Sequence, residues 1–190
     1  MSLHGFMRGS VIIPEDVDLT VPVMEEVISA SEAKAASVSD YFAELYVAGR
    51  FADAGWNVYF PHRDQGFDFI ISKHDGNGDQ ILRPVQVKGK YPTEEKGSRS
   101  AYGFVGKLTQ MHADMVLAIP FFQTGASDMP SCTAYMPRSL IKPNSRGFRC
   151  KPASFKFGKP SPRPGYQKFF GADGLKLLED PNWRDSTVGV

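Results

Sequence analysis

The sequence predicts an α/β fold in which a central β-sheet is flanked by helices. Three observations support this prediction: an amphipathic helical pattern over Ser37–Ala54, a series of short apolar runs after Gly55, and turn-forming residues between those runs. A helix followed by strands is typical of a sheet with helices packed on it. The 190 residues, 42% of them hydrophobic, can bury a sizeable core, and we expect a single domain over residues 1–190.

Two helices are predicted before the first strand. Val23–Ala35 contains helix formers with acidic residues near its beginning. Ser37–Ala54 is the stronger prediction, because Ser37 or Ser39 can cap it and Gly55 can end it. The residues expected to face the core are Val38, Phe42, Leu45 and Ala52, with Tyr41, Ala48 and Phe51 beside them.

Three strands are predicted after the second helix. Their expected bounds are Trp56–Phe60, Phe67–Ser72 and Ile81–Lys88. The turn sequence Asp-Gly-Asn-Gly at 75–78 makes the second and third strands an antiparallel hairpin. Pro84 lies inside the third strand and favours an edge position or a bulge there.

The second half of the chain contains two further predicted strands. Met115–Phe121 has the continuous apolar run of a buried strand, and Ser131–Met136 precedes Pro137 and a short helix. Gly174–Glu179 is predicted as a last helical turn. The segment Arg146–Gly171 is rich in Pro and aromatic residues and indicates no particular element.

Several classes of protein are excluded by what the sequence lacks. Cys132 and Cys150 are too few for a disulfide framework or a four-cysteine zinc site, and could form one bridge at most. The longest apolar run, Met115–Phe122, is too short to cross a bilayer, and Met1–Ser10 has no signal-peptide core. We therefore expect a cytoplasmic protein without a membrane partner.

Positive charge is concentrated late in a chain whose net charge is only +1. Residues 129–172 contain nine Lys and Arg residues and no Asp or Glu. Such a segment can bind phosphates, or it can be an ordinary solvated surface, and both readings stay open. Six aromatic residues from the later part of this segment could stack on unpaired nucleobases, but we favour a place in the core for them. These aromatic residues are Phe148, Phe155, Phe157, Tyr166, Phe169 and Phe170.

A group of polar residues on the helix and the hairpin suggests a catalytic site. Glu44 lies beside the apolar stripe of the helix, where a lone buried charge would be unfavourable. Alternation along the second strand places Asp68 opposite the face of its apolar neighbours. In the third strand Gln86 and Lys88 share a face, about 7 Å apart, while Val87 points to the core. The hairpin can bring Asp68, Gln86 and Lys88 to the same side.

These residues suit a hard divalent cation, which prefers oxygen ligands. Asp68 can supply a carboxylate, the Gln86 side chain a carbonyl oxygen and the Val87 main chain another. Glu44 can bind a metal-bound water or a second ion, and Lys88 can hold the attacking water and neutralise a phosphate. Hydrolysis of a phosphodiester with Mg²⁺ or Mn²⁺ needs a Lewis acid, an activated water and positive charge.

The order of these residues resembles the PD-(D/E)XK nuclease superfamily, which includes restriction enzymes, Holliday-junction resolvases and repair nucleases. The resemblance lies in Glu44 on a helix, Gly66-Phe67-Asp68 entering a strand and Gln86-Val87-Lys88 on the next strand, and it covers roughly residues 37–122. It implies a restriction-endonuclease-like core with a mixed sheet and a metal-dependent endonuclease that acts on DNA. Gln86 stands where the family usually has an acid, which removes one negative charge from the site.

The resemblance also implies contacts to DNA and suggests a homodimer, because members of the superfamily often act as dimers. The candidate nucleic-acid-binding residues are Lys90, Lys107, Arg146, Arg149, Lys151 and Lys156. Two alternatives stay open. One is a catalytically inactive nucleic-acid-binding relative, in which Gln86 marks a lost metal site. The other is a protein-interaction module.

Overall fold

The computed structural model describes residues 41–63, 66–91, 104–106, 108, 112–123, 129–145, 147–156 and 159–188. All of these residues belong to one compact unit, Ser37–Val190. The predicted helix Val23–Ala35 lies outside the described residues. That helix and the single domain over the whole chain therefore stay predictions.

A five-stranded mixed sheet forms the centre of the fold. The ten strands of the described chain are β1 (Asn57–Tyr59), β2 (Phe69–His74), β3 (Gln80–Val87), β4 (Phe104–Gly106), β5 (Val116–Phe121), β6 (Cys132–Pro137), β7 (Lys142–Asn144), β8 (Gly147–Arg149), β9 (Ala153–Lys156) and β10 (Lys159–Pro162). The central sheet has the order β1–β2–β3–β5–β6, in which β3 and β5 run parallel and the other neighbours antiparallel. The predicted α/β class is thus confirmed at this level.

Smaller elements surround the central sheet. Strands β4, β8 and β7 form a three-stranded antiparallel sheet, and β9 and β10 form a hairpin. Helix α1 covers residues 41–53, and helix α2 is Gly171–Leu177. Within the described ranges, short 3-10 helices occur at Arg138–Leu140, Gln167–Phe169 and Trp183–Asp185. The segment 146–171, to which the sequence assigned no element, therefore contains β8, β9 and β10.

The central sheet buries a different core on each of its faces. On one face, Val85 and Val87 of β3 belong to the same buried cluster as Val47 of α1. On the other face, Leu117 of β5 belongs to a second buried cluster with Cys150, which directly follows β8. Helix α1 therefore covers one face of the sheet, and the three-stranded sheet contributes to covering the other.

The predicted core face of α1 is wrong for the residues described. Phe42 and Leu45 are 38% and 46% exposed. Ala52 is exposed as well. The buried residues of the helix are Ala43, Val47, Ala48 and Phe51, of which Ala48 and Phe51 are the two expected beside the core face. This stripe also has helical spacing, and it places mostly small residues against the sheet, which lets the helix approach closely. Val38, which was expected in the core, lies outside the described residues.

The end of α1 agrees with the prediction made from Gly55. Gly55 has a φ angle of +81°, in the left-handed region. Its N–H donates to the Ala52 carbonyl at 3.0 Å, and the Trp56 N–H donates to the Phe51 carbonyl at 3.0 Å. This pair of hydrogen bonds is a Schellman motif, in which glycine is favoured because it lacks a Cβ. The sequence alone contained this information.

The hairpin of β2 and β3 is confirmed, with two differences in detail. Strand β2 begins at Phe69, two residues later than predicted, and Phe67 packs against the second core rather than beside Phe69. Pro84 lies in an interior strand that keeps a regular register with β2. Proline is tolerated there because β3 pairs with β5 only from Val85 onward. The nitrogen of Pro84 faces the β5 side before this pairing begins, so no hydrogen bond of the sheet is lost.

The later predicted strands and the cysteines can also be compared with the structure. Strands β5 and β6 match the two predicted strands within one residue, and all six residues of β5 are buried. Cys132 and Cys150 are both free thiols. Burial raises the pKa of Cys132 to about 11 and that of Cys150 to about 12. No helix of the described chain is long and apolar enough to cross a membrane.

Candidate functional site

The candidate site lies where β2 begins and β3 ends. Asp68 directly precedes β2, and its N–H donates to the Val85 carbonyl at 2.9 Å. Its carboxylate Oδ2 accepts a hydrogen bond from the Val87 N–H at 2.5 Å. A side-chain oxygen thus takes the place of the main-chain carbonyl that would otherwise continue the ladder. This bond fixes Asp68 at the end of the hairpin.

Gln86 lies one step beyond the last register pair of the hairpin. Phe69 pairs with Val85, so the antiparallel register brings Asp68 opposite Gln86. Gln86 is only 6% exposed, and its Oε1 is buried without a hydrogen-bond partner in the part of the chain that the structure describes. A buried acceptor without a partner is unfavourable by about 1–3 kcal/mol. This oxygen therefore lacks the partner that a bound cation could supply.

The main chain of Val87 adds a further oxygen on the same side. The Val87 N–H points to Asp68, whereas the next N–H, that of Lys88, donates to the Ala118 carbonyl of β5 at 2.9 Å. A strand residue directs its N–H and C=O to the same neighbour. The carbonyl of Val87 therefore faces the β2 side of the strand, where Asp68 directly precedes β2.

Lys88 supplies positive charge at this end of the sheet. It follows Gln86 by two residues, so alternation places their side chains on the same side, about 7 Å apart. The side chain is half-buried, and Lys88 forms no ion pair with another described residue. An amine held in this way can act on a water or a phosphate oxygen.

Glu44 reaches the same end of the sheet from helix α1. Its neighbour Ala43 packs against Gly89, where an added Cβ would lie 3.2 Å from the Ala43 Cβ. Helix α1 therefore passes closely beside the residue that follows Lys88. The helix lies on the face of Val87, whereas Gln86 points to the other face, so Glu44 flanks the strand end rather than lying beside Gln86. Glu44 is half-buried.

The oxygens at the strand end fit a hard divalent cation. Asp68 offers a carboxylate, Gln86 an amide oxygen and Val87 a main-chain carbonyl, which are ligand types that Mg²⁺ and Mn²⁺ accept. No group of three or more His, Cys, Asp and Glu side chains that could hold a metal occurs among the described residues. A site built from one carboxylate and neutral oxygens carries less negative charge than such a group.

The six candidate nucleic-acid-binding residues do not all lie in the described chain. Lys107 and Arg146 lie outside it, as does the side chain of Lys156 in β9. The main chain of Lys90 bonds to β5, since its N–H donates to the Pro120 carbonyl at 2.9 Å. Burial raises the pKa of the Cys150 thiol, and the positive charge of Lys90 acts to lower it.

Arg149 lies on β8 of the three-stranded sheet, and Lys151 follows it by two residues. Both side chains are exposed, on either side of the buried Cys150. Lys142 is exposed as well and is the Cα partner of Arg149 across β7 and β8. Lys142 is not among the six candidates, and only its position in the basic segment distinguishes it in the sequence.

The late aromatic residues behave as expected where they are described. Phe169 and Phe170 belong to the second core, and Phe148, Phe155 and Tyr166 pack against it. Phe157 lies outside the described residues. These side chains are therefore engaged in packing rather than presented for stacking on bases.

Comparisons with known proteins yield no match: no family model, no curated protein and no solved structure is similar to this chain.

Proposed function

We propose that this protein is a metal-dependent nuclease with a restriction-endonuclease-like core that hydrolyses phosphodiester bonds in DNA. The observation that carries the proposal is the buried Oε1 of Gln86, which lacks a hydrogen-bond partner among the described residues and lies across the hairpin from Asp68. A buried amide oxygen opposite a carboxylate is favourable when a cation joins them, because both then have a partner.

Each residue of the site has a role in this proposal. Asp68, Gln86 and the Val87 carbonyl would hold Mg²⁺ or Mn²⁺, with Glu44 supporting the site through a water. The bound ion supplies Lewis-acid polarisation of the phosphate and of a water. Lys88 orients that water and neutralises charge that develops on the phosphoryl oxygens. The hydrogen bond from the Val87 N–H holds Asp68 in place.

The proposal is tested by incubating supercoiled plasmid, linear duplex, single strand and a four-way junction with Mg²⁺, Mn²⁺ or EDTA. We expect metal-dependent cleavage that Asp68→Ala and Lys88→Ala each reduce by at least about 100-fold, since each removes a group that acts in the transition state. Matched controls are Asp53→Ala and Lys176→Ala, which remove exposed charges elsewhere. Cleavage that survives both site substitutions would place the active site elsewhere.

A second candidate function is nucleic-acid binding without catalysis. It is favoured by the Asp68 carboxylate, one oxygen of which already accepts the Val87 N–H, and by the neutral side chain of Gln86. In that case the folded protein would bind DNA equally well in EDTA and in Mn²⁺, and calorimetric titration would show no Mn²⁺ binding that Asp68→Ala removes. Absence of both cleavage and DNA binding would favour the protein-interaction module.

A further inference from the structure

The outer surface of the three-stranded sheet carries a concentrated positive charge. Lys142 on β7 and Arg149 on β8 are direct Cα partners, and both are exposed. The alternation continues beyond β8, because Cys150 is buried and Lys151 is exposed again. Arg149 and Lys151 are therefore on the same side, about 7 Å apart. We call Lys142, Arg149 and Lys151 the basic face.

The hairpin of β9 and β10 repeats this arrangement. Lys159 is the Cα partner of Lys156 in the register of the two strands. Like charges directly opposite each other in an antiparallel pair destabilise it. The pair Lys142 and Arg149, both exposed, is therefore unfavourable for the stability of the sheet. An anion that lies over the pair relieves this repulsion.

Among the described residues, no acidic side chain forms an ion pair with these bases. Residues 129–172 contain no acidic residue. Lys142, Arg149, Lys151 and Lys159 form no ion pair with any described residue. In contrast, Arg138 and Arg163 of the same segment donate to main-chain carbonyls, those of Ile141 and Ala153. Some bases of the segment thus stabilise the fold, while those of the basic face point to solvent.

We propose that the basic face binds the phosphate backbone of a nucleic-acid duplex. A duplex offers one negative charge per about 1.7 Å of its axis, which suits a row of closely spaced, exposed bases. The proposal concerns binding and does not depend on hydrolysis at the strand end. The face contributes contacts that position the duplex rather than read its bases.

A membrane surface is the less favoured partner for the basic face. Proteins that lie on anionic membranes usually combine bases with exposed apolar side chains that enter the interface. The exposed large apolar residues of the described chain are Tyr41, Phe42, Leu45, Tyr59, Phe60, Ile70, Leu82 and Met129. All of them precede β6, so none lies on β7, β8 or the residues directly after β8.

The test is a fluorescence anisotropy titration of the full chain with a labelled duplex of about 20 base pairs, in EDTA and at several salt concentrations. The test variant is Lys142→Gln/Arg149→Gln. Loss of two phosphate contacts should reduce the slope of log K against log[salt] by about 1.8 and weaken binding on the order of 50-fold at about 0.1 M salt.

The matched control is Arg50→Gln/Lys176→Gln, which removes the same charge from the groove between α1 and α2. It should retain the wild-type salt slope, and so should Lys142→Arg/Arg149→Lys, which keeps both charges. The titration is done in EDTA and measures binding alone, so its outcome does not depend on cleavage, which separates this proposal from the nuclease proposal. Equal losses in the test and control variants would overturn the proposal, as would wild-type binding to phosphatidylserine vesicles but not to duplex.

Discussion

At the scale of single residues, Gln86 is the position on which the chemistry of the site depends. The residue is only 6% exposed, and its side-chain oxygen has no hydrogen-bond partner among the described residues. A neutral ligand at this position lowers the negative charge around a cation. Metal binding should therefore be weaker than in a site with two carboxylates, and Mn²⁺, which binds more tightly than Mg²⁺ does in general, is the better probe.

The first residue-scale prediction concerns Gln86→Leu. Leucine has a similar volume and lacks the buried acceptor, so the variant should be more stable than the wild type in EDTA by about 1 kcal/mol. It should also gain no stability from Mn²⁺, whereas the wild type should gain some by mass action. Urea unfolding with and without Mn²⁺ measures both effects.

Gln86→Glu is the complementary variant for the same experiment. A second carboxylate opposite Asp68 should lower stability in EDTA, because like charges repel at this short separation, and should increase the gain from Mn²⁺. If Gln86→Leu instead loses more than about 1 kcal/mol in EDTA, the amide is a structural group and not a vacant ligand.

At the scale of secondary-structure elements, the close approach of α1 to the end of β3 places Glu44. Gly89 makes this approach possible, since an added Cβ would lie 2.5 Å from the Tyr91 Cε2 and 3.2 Å from the Ala43 Cβ. The ring of Tyr91 in turn stacks on Phe122, with centroids 4.1 Å apart. The small residue, the helix and the ring therefore form one packed unit beside Lys88.

Gly89→Ala should destabilise the protein by about 1–3 kcal/mol, because the added methyl group displaces Tyr91 or α1. The matched control is Gly49→Ala, since Gly49 lies within α1 and an added Cβ meets nothing within 4 Å. That control should stabilise by about 0.5–1 kcal/mol through the higher helix propensity of alanine. Thermal unfolding of both variants gives the two signs, and equal signs would contradict the close packing.

At the scale of the whole molecule, Arg83 fastens the C-terminal segment to the central sheet. Its Nε and Nη2 donate to the carbonyls of Leu178 and Asp180, each at 2.9 Å, and its guanidinium lies 5.2 Å from the centre of the Trp183 ring. Burial lowers the pKa of Arg83 to about 10, although the negative charges of Asp114 and Asp180 act to raise it. The group is still charged at neutral pH.

Arg83→Met should lower the free energy of unfolding by about 2–4 kcal/mol, because the buried carbonyl of Leu178 and the part-buried carbonyl of Asp180 lose their donors. Hydrogen exchange should accelerate in residues 178–185 more than elsewhere. Arg184→Met is the control: Arg184 is 52% exposed and pairs with Asp114 at 3.4 Å, so its loss should change stability by less than about 1 kcal/mol. Similar losses in both variants would show that Arg83 does not fasten this segment.

The elements that could be predicted are those whose signals are local. Gly55 ends α1 through hydrogen bonds within five residues, and the apolar run at 115–121 makes β5 a buried strand. The turn at 75–78 fixes the hairpin, because Asp75 Oδ1 accepts from the N–H groups of Asn77 and Asp79. From the hairpin alone, Asp68 and Gln86 could be expected on neighbouring strands.

Other features depend on which distant segments meet, and local patterns do not contain that information. Helix α1 has two apolar stripes, and the sheet selects Ala43 and Val47 because small side chains let the helix approach Gly89. Lys142 and Arg149 become partners only through the register of β7 and β8. The burial of the Gln86 oxygen likewise follows from long-range packing. The sequence established the residue types and the order of the elements, and the tertiary structure established their partners, because burial and pairing depend on contacts between residues far apart in the chain.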